Sequence, residues 1–352
     1  MRILNISGTH FVSTFRSMGH KVLSVGKSRS CDLSISNPLD ISGLWKILKS
    51  RKFYPDLVFW NDTCRPPEVF GIERLPGVTI GLTIDQYCNP WHVPYSWAFD
   101  LMLVAQKDYL KFFKDKRLPR KNLWFPLFCN VEKDRDLGLD RDVPVSFVGT
   151  LNPPINKDRP VFLKNFKKLY PLYTHQGQYA EVFSRSMIVL NQSAVGELNF
   201  RLFQAACCGA AVLTEDVGNG LRDILVPGEE ILPPYERGNA GHAAEIASKA
   251  IEHPSRTMEI ARAGQDKVRK EHSTRVRAKR IINLAERLIY TKASSWRKNH
   301  LKLIENELRK SFIFLASDKD LPLSPELRDF YLNLGIPESS EFKIKGSGFK
   351  LQ

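Results

Sequence analysis

The sequence predicts an α/β fold with two domains and a C-terminal helical tail. The chain has 352 residues, which is too long for one ordinary hydrophobic core and favours two domains. Short apolar segments alternate with amphipathic segments in both halves, as in mostly parallel sheets with right-handed crossovers. The stretch 130–143 is charged and poor in apolar residues, as linkers are. We therefore expect domains at 1–135 and 136–289 and a tail of unknown role at 290–352.

The N-terminal half opens with a predicted strand, helix and strand, which form a βαβ unit. Further strands and helices are expected at 55–60, 78–83, 101–105, 41–50 and 108–114. Polar residues follow the predicted strands at their carboxyl ends, where open α/β sheets bind ligands; they are His10, Asn61, Asp62 and Asp85. No Gly-x-Gly-x-x-Gly motif follows the first strand, which argues against a dinucleotide-dependent dehydrogenase.

The second half repeats the alternation. Its predicted strands are 145–150, 187–190 and 211–214, and its predicted helices are 160–168, 200–207, 240–252, 255–271 and 273–289. In the last of these helices Ile281, Leu284 and Leu288 form a stripe that faces a core. The tail is expected to contain helices at 295–314 and 324–334, followed by a polar end with glycines.

The positive charge of the chain predicts an anionic partner but does not identify its class. The formal net charge is +14, which suits nucleic acid, an acidic membrane surface or a phosphorylated substrate. No basic tract is interleaved with aromatic residues as in RNA-binding platforms, so nucleic acid is not the expected partner. A basic nucleic-acid-associated protein stays open as an alternative, and it predicts steeply salt-dependent binding.

The cysteines and the N-terminus indicate a cytoplasmic protein. The six cysteines contain no Cys-x-x-Cys pair and no zinc-type spacing with histidine, so we expect reduced thiols and no metal site. The opening residues read as a β-strand and not as a signal peptide. No window approaches about 18 uninterrupted apolar residues, the length that suggests a membrane span.

The most informative stretch is 179–227. It contains an apolar strand, a polar loop, an amphipathic helix and the small-residue turn Cys207-Cys208-Gly209, followed by a second strand. A polar loop that feeds a helix N-terminus in an α/β domain can hold an anionic nucleotide, because free backbone N–H groups and the helix dipole face the phosphates. The stretch therefore predicts a nucleotide site.

Five segments carry a resemblance to a known family: 186–191, 198–209, 211–214, 227–231 and 271–274. In this order they resemble the C-terminal domain of the group 1 glycosyltransferases, and most of all the branch of the CgeB-like spore maturation proteins. The resemblance covers about residues 145–289. It implies the GT-B fold, in which two Rossmann-like domains face a cleft. It also implies a metal-independent enzyme without a cofactor, whose donor is a nucleotide sugar, most often a UDP- or GDP-sugar.

The resemblance also assigns roles to individual residues. It implies that Arg201 pairs with the donor pyrophosphate and that Gln204 lies at the ribose. Many relatives have a glutamate at this ribose position. The remaining expected donor-binding residues are Gly149, Lys157, Arg159, Asn199, Thr214 and Glu215. Fixed cations suit a diphosphate leaving group, which gains negative charge as the glycosidic bond breaks.

Two residues of the N-terminal half are candidates for catalysis. Asp85 follows a strand and could deprotonate an acceptor hydroxyl, although a turn cap explains it equally well. His10 lies in the first β-to-α loop and could face the ligand, whereas an isolated histidine is more often structural.

The leading hypothesis is a cytoplasmic hexosyltransferase-type glycosyltransferase that acts on a hydroxyl acceptor. Candidate acceptors are a lipid-linked intermediate or a surface polymer, with peripheral contact at the inner face of the membrane. The main alternative is a GT-B-like protein that binds nucleotide sugars but is catalytically weakened, because Gln204 is a neutral hydrogen-bond acceptor.

Overall fold

The computed structural model describes residues 1–336 and divides into two compact units. Unit 1 consists of Met1–Ala105, Tyr109–Phe125 and the described chain from Ala278 onward, and unit 2 consists of Gln106–Asp108 and Pro126–Arg277. The predicted boundaries after 135 and 289 differ from this division. The segment 126–135 lies in unit 2, and the helices after Ala278 pack into unit 1 instead of forming a separate tail. The predicted polar end with glycines lies outside the described residues.

Each unit has a parallel sheet. The strands are β1 (Arg2–Ser7), β2 (Lys21–Gly26), β3 (Leu33–Ser34), β4 (Leu57–Asn61), β5 (Val78–Thr83), β6 (Leu101–Val104), β7 (Leu123–Trp124), β8 (Val143–Val148), β9 (Tyr173–His175), β10 (Ser186–Asn191) and β11 (Ala211–Thr214). In unit 1 the strand order is β3-β2-β1-β4-β5-β6-β7, and in unit 2 it is β11-β10-β8-β9. The order in unit 1 reverses between β1 and β4, and such a switch point is where open sheets bind ligands.

The described helices are α1 (Val12–Ser17), α2 (Ile41–Ser50), α3 (His92–Tyr95), α4 (Arg159–Leu169), α5 (Ala180–Arg185), α6 (Phe200–Cys207), α7 (Leu221–Ile224), α8 (Ala240–Glu252), α9 (Pro254–Glu271), α10 (Thr274–Tyr290), α11 (Ser294–Asn299), α12 (Leu301–Ser317) and α13 (Pro325–Gly335). Short 3-10 helices cover Ile72–Arg74, Ser96–Ala98 and Lys107–Phe113. Within residues 1–336, none of the helices is apolar over a stretch long enough to cross a membrane.

Most of the predicted elements are present, with local differences. The expected helix at 108–114 is a 3-10 helix, and the expected helix at 295–314 is two helices that meet near His300. The short edge strands β3 and β9 were not predicted, because two or three residues are too few to show an apolar alternation.

The two hydrophobic cores explain the pattern of the helices. In unit 1 the sheet residues pack with side chains from α12 and α13, among them Ile304, Leu308, Phe312, Leu315 and Phe330. This burial is why the C-terminal helices belong to unit 1. In unit 2 the core joins β8, β10 and β11 to α4 and α8, including Phe147, Phe166 and Ala247.

Candidate functional site

Arg201 lies in the first turn of α6 in unit 2, and backbone carbonyls fix its side chain. The helix begins after Asn199, whose side chain accepts a hydrogen bond from the Leu202 N–H at 3.4 Å and caps the helix. Arg201 Nε donates to the Val148 carbonyl at 2.7 Å, and Nη1 donates to Asn191 Oδ1 at 3.0 Å and to the Gln192 carbonyl at 3.2 Å. The guanidinium group is therefore held at the carboxyl ends of β8 and β10.

Arg159 brings a second guanidinium group to the same carbonyl. It is the first residue of α4 and only 6% exposed. Its Nη2 donates to the Gln192 carbonyl at 3.0 Å, its Nε donates to Gln192 Oε1 at 2.6 Å and its Nη1 donates to the Thr150 carbonyl at 3.0 Å. Two like charges thus meet at one backbone oxygen, which costs electrostatic energy unless an anion joins them.

Phe147 and Gly149 shape the space around these arginines. The Cζ atoms of Arg201 and Arg159 lie 4.4 and 5.6 Å from the centre of the Phe147 ring. Gly149 has a φ of +152°, and a Cβ atom at this position would lie 2.2 Å from Arg201 Nη2. Because no side chain fits there, Gly149 leaves room for the guanidinium group.

Arg201 has unused hydrogen-bonding capacity. Nε and Nη1 supply its three hydrogen bonds, and among residues 1–336 no hydrogen bond from Nη2 and no salt bridge of the guanidinium group is found. Burial and, to a lesser extent, repulsion from Arg159 lower the pKa of Arg201 to about 9, against the opposite effects of Glu197 and Tyr235. An anionic ligand would relieve this destabilisation of the charged form.

Thr214 and Glu215 support the site indirectly. Asn191, which holds Arg201, donates from Nδ2 to Thr214 Oγ1 at 3.0 Å. Glu215 is 2% exposed and accepts hydrogen bonds from the Ser193 N–H, at 3.1 Å, and from the Ser193 hydroxyl. Burial raises the pKa of Glu215 against these hydrogen bonds. Thr214 therefore orients Asn191, and Glu215 fixes the loop after β10.

Gln204 lies one turn after Arg201 and makes a contact that a glutamate could not make. Its Nε2 donates to the Tyr179 hydroxyl at 2.9 Å, and that hydroxyl donates to Asp134 Oδ1 at 2.6 Å. Tyr179 gives its only proton to Asp134, so its partner at position 204 has to be a donor. Among residues 1–336, Gln204 Oε1 has no recorded partner.

Lys157 is exposed in the loop before α4, unlike Arg159 two residues later. Sequence reasoning gave these two residues the same role, whereas the structure brings only Arg159 to Gln192. Sequence reasoning also did not assign a site role to Asn191, Gln192 or Phe147. Asn191 and Gln192 follow the apolar run 187–190, so the rule that polar residues after a strand line a ligand edge would have found them.

His10 lines a cavity in unit 1 at the switch point of the sheet. The cavity has a volume of about 490 Å³, and its other charged lining residues are Lys27, Arg65 and Glu68. His10 Nδ1 lies 3.4 Å from Asn61 Oδ1, and Lys27 Nζ lies 2.9 Å from Glu68 Oε1. The cavity therefore combines an imidazole, two cationic groups, a carboxylate and several hydroxyl groups.

Asp85 follows β5 and is not part of the lining of that cavity. Its carboxylate accepts hydrogen bonds from the Cys64 thiol and, at 3.1 Å, from the Tyr87 hydroxyl. Burial raises the pKa of the Cys64 thiol, and the neighbouring carboxylates Asp62 and Asp85 raise it further, so this group remains a donor. His10 and Asp85 therefore do not share the lining of that cavity.

A buried contact between a carboxyl group and an imidazole lies close to the loop that carries Asp85. Asp62 and His92 are both 0% exposed, with 3.4 Å between Asp62 Oδ2 and His92 Nε2, and the Thr83 hydroxyl lies 2.7 Å from His92 Nδ1. Burial raises the pKa of Asp62, but His92 and the backbone N–H groups of Ile84 and Cys64 bring it below its ordinary value. Asp62 accepts hydrogen bonds from the N–H groups of Cys64, at 2.7 Å, and Ile84, at 2.9 Å, so it holds together the segments that follow β4 and β5.

A cluster of three or more His, Cys, Asp or Glu side chains that could hold a metal ion is not found among residues 1–336.

Comparison with solved structures defines the class of fold. The chain is similar to a glycosyltransferase from Rickettsia africae (TM-score 0.62, 11% identity, 82% of this chain and 98% of that chain). It is also similar to a sucrose-phosphate synthase from Thermosynechococcus elongatus (TM-score 0.60, 12% identity, 83% and 100%). A third similar structure is Anabaena HepE in complex with UDP-glucose (TM-score 0.61, 11% identity, 82% and 100%). The fold is thus that of the GT-B glycosyltransferases.

The family comparison concerns unit 2 in particular. Residues 140–283 match the family described as "Glycosyl transferase-like". The match includes Arg159, Arg201, Gln204 and the loop after β10. No curated protein sequence matches the chain.

Proposed function

We propose that this protein is a glycosyltransferase that moves a hexose from a nucleoside diphosphate sugar to a hydroxyl acceptor. The observation that carries this proposal is the convergence of Arg159 and Arg201 on the Gln192 carbonyl, with Arg201 Nη2 lacking a recorded partner among residues 1–336. Paired guanidinium groups at the carboxyl end of a parallel sheet suit a diphosphate. Membership of the CgeB-like branch is part of the same proposal.

In the proposed reaction, the bond between the sugar C1 and the diphosphate oxygen breaks, and the acceptor oxygen forms a new bond to C1. Negative charge grows on the departing diphosphate, where Arg201 and Arg159 stabilise it. The acceptor proton passes to a base, for which His10 and Asp85 are the proposed candidates. Gln204 Oε1 would accept a hydrogen bond from a ribose hydroxyl. We propose that these side-chain cations suffice without a metal, and turnover in excess EDTA tests this point.

UDP-glucose is the first donor to test, because HepE, which shares the fold, has been solved with UDP, with UDP and glucose, and with UDP-glucose. We propose a UDP- or GDP-sugar donor and a cytoplasmic location at the inner face of a membrane, where the acceptor is a lipid-linked intermediate or a surface polymer. The net charge of +14 suits such an anionic environment.

A thermal-shift screen of UDP-, GDP-, ADP- and CMP-sugars tests the donor site. A ligand present at 100 times its dissociation constant adds about 2.7 kcal/mol to the free energy of unfolding. We expect one nucleotide class to stabilise the wild type and to lose this effect in the Arg201→Ala variant. If all four classes leave the melting temperature unchanged, the proposal fails.

The engagement of Gln204 by Tyr179 favours a second candidate, a protein that binds nucleotide sugars without transferring the sugar. A glutamate could accept two ribose hydroxyls with a charged group, whereas Gln204 offers one neutral oxygen. Donor binding without hydrolysis or transfer across a panel of hydroxyl acceptors would select this candidate.

A further inference from the structure

The outer face of α4 carries a cavity that the proposed transfer does not use. Its volume is about 530 Å³, and it is lined mainly by Leu151, Pro160 and Leu163 together with Lys164, Lys167 and Lys168. The apolar side chains and the lysines therefore border the same depression on the surface of unit 2.

The three lysines form an uncompensated cluster of positive charge. Among residues 1–336 no salt bridge of these lysines is found, and their one side-chain hydrogen bond runs from Lys167 Nζ to Thr174 Oγ1 at 2.9 Å. The surrounding segment 151–175 contains one acidic residue, Asp158, and five lysines and arginines: Lys157, Arg159, Lys164, Lys167 and Lys168. The cavity thus attracts anions.

Exposed apolar side chains flank this charge. Val161 is 58% exposed and Leu169 is 62% exposed, and both belong to α4. Val161, Lys164 and Lys168 follow one another at three- and four-residue spacing, so they share one face of the helix. Ile155, in the loop before α4, is 52% exposed. Exposed apolar side chains beside clustered lysines can contact the acyl boundary and the anionic headgroups of a membrane together.

We infer that this α4 lysine patch, consisting of Val161, Lys164, Lys167 and Lys168, docks on an anionic phospholipid surface. Lipid phosphates would contact the ammonium groups, and the upper acyl region would contact Val161 and the apolar lining of the cavity. A single-stranded nucleic acid would need aromatic side chains for base stacking, and the lining residues of this cavity include none.

The patch lies on the helix that begins with Arg159. From Arg159 to Lys164 and Lys168 the helix rises by about 8 and 14 Å. Docking would therefore hold the arginine site of unit 2 close to the bilayer, where a lipid-linked acceptor is found. The inference deepens the membrane location given under the proposed function and rests on that proposal. Vesicle binding is measured without a donor, and donor binding is measured without vesicles, so docking and sugar transfer can each fail alone.

Co-sedimentation of the full chain with vesicles tests the inference. We expect binding to equimolar phosphatidylcholine and phosphatidylglycerol, little binding to phosphatidylcholine alone, and weaker binding at high salt. Each lysine near an anionic surface adds about a fivefold increase in partitioning, so the combined Lys164→Gln, Lys167→Gln and Lys168→Gln variant should bind about 100-fold more weakly.

A matched control removes the same charge from α9, through Arg262→Gln, Arg269→Gln and Lys270→Gln, and should keep most of the binding. Val161→Ser should weaken binding while leaving the charge and the circular dichroism spectrum unchanged. If the lysine variant binds vesicles as the wild type does, or if the control loses as much, the inference is wrong. Tighter binding to single-stranded RNA than to the vesicles at physiological salt would also overturn it.

Discussion

Two arginines, one in each unit, show how a structural cation differs from a candidate ligand-binding cation. In unit 1, Arg297 is 1% exposed and pairs with Asp100 through Nε at 3.0 Å and Nη2 at 3.2 Å. Its remaining N–H groups donate to the carbonyls of Glu73, Leu75 and Gly77, so all five donors are used. In unit 2, Arg201 uses three donors on neutral acceptors. The unused Nη2 group marks Arg201 as the one prepared for a ligand.

The largest expected effect on stability concerns Arg297, the structural arginine of this comparison. Arg297→Ala leaves Asp100 buried without its partner, which costs about 3–5 kcal/mol of unfolding free energy. Urea denaturation should show this loss, while the folded fraction keeps the donor affinity of the wild type. Retention of full stability would show that the Asp100 pair does not hold the C-terminal helices.

Arg201→Ala should reduce turnover more than it reduces stability. In the proposed mechanism, removing one preorganised donor from a developing anion costs about 100- to 1000-fold in turnover. The lost hydrogen bonds to Val148, Asn191 and Gln192 should lower the unfolding free energy by less than Arg297→Ala does, because no buried carboxylate loses its counter-charge. Steady-state transfer and denaturation of the same preparation check both points. Arg201→Lys keeps the charge but loses the forked geometry, and it should recover only part of the activity. Turnover at the wild-type level in the alanine variant would remove Arg201 from the site.

Gly149→Ala displaces Arg201 without removing it. Because a Cβ atom would lie 2.2 Å from Nη2, the guanidinium group has to move. A displacement of about 1 Å in a catalytic group can cost about 100-fold, and we expect a 10- to 100-fold loss of turnover. Gly177→Ala is a control in the same unit, since a Cβ atom there meets nothing within 4 Å. Equal losses in both variants would indicate a general backbone effect.

Arg277 adds a third buried arginine to the comparison of Arg297 with Arg201, and its partner is a histidine. His272 accepts a hydrogen bond from Arg277 at 2.6 Å. Burial and Arg277 lower the pKa of His272 from 6.5 to about 4. As pH falls below 6.5, the unfolded state therefore takes up a proton before the folded state does, and stability is lost down to about pH 4. Between pH 7.5 and 5.5 the loss is about 1.4 kcal/mol.

His272→Asn removes this titration while keeping an oxygen that can accept from Arg277. We expect urea denaturation to show a smaller loss of stability between pH 7.5 and 5.5 in this variant. An unchanged pH dependence would mean that other groups carry it.

The smallest expected effect concerns Gln204. Gln204→Glu places an acceptor against the Tyr179 hydroxyl, whose proton already goes to Asp134 at 2.6 Å. The lost hydrogen bond should lower the unfolding free energy by about 1 kcal/mol. In a Tyr179→Phe background the same substitution should cost much less, and this double-mutant cycle isolates the contact. Equal costs in both backgrounds would contradict the assigned network.

Much of the fold follows from local sequence patterns. The apolar runs of β1, β4, β5, β10 and β11 and the helical periodicity of α8 to α10 placed these elements within a few residues. The edge strands, the division into units and the insertion of α12 into the core of unit 1 could not be predicted, because they depend on contacts between distant segments. The contact between Phe312 and Phe70, for example, is not indicated by any local sequence pattern.

The candidate site was predictable only in part. Motif order singled out Arg201 and Gln204, but the sequence does not reveal hydrogen-bond partners. It could not show that Arg159 is buried while Lys157 is exposed, or that Gln204 has to donate to Tyr179. The convergence of Arg159 and Arg201 on Gln192 also depends on the pairing of β8 with β10, which places Val145 beside Ile188 and cannot be read from local sequence.

The most direct test of the central claim is isothermal titration of the wild type and of Arg201→Ala with a nucleoside diphosphate and the matching monophosphate. UDP and UMP come first. If Arg201 binds the donor diphosphate, the wild type prefers UDP over UMP, and the alanine variant loses most of this preference while its affinity for UMP changes little. If Arg201→Ala keeps the preference of the wild type for UDP, Arg201 does not bind the diphosphate and the account is wrong.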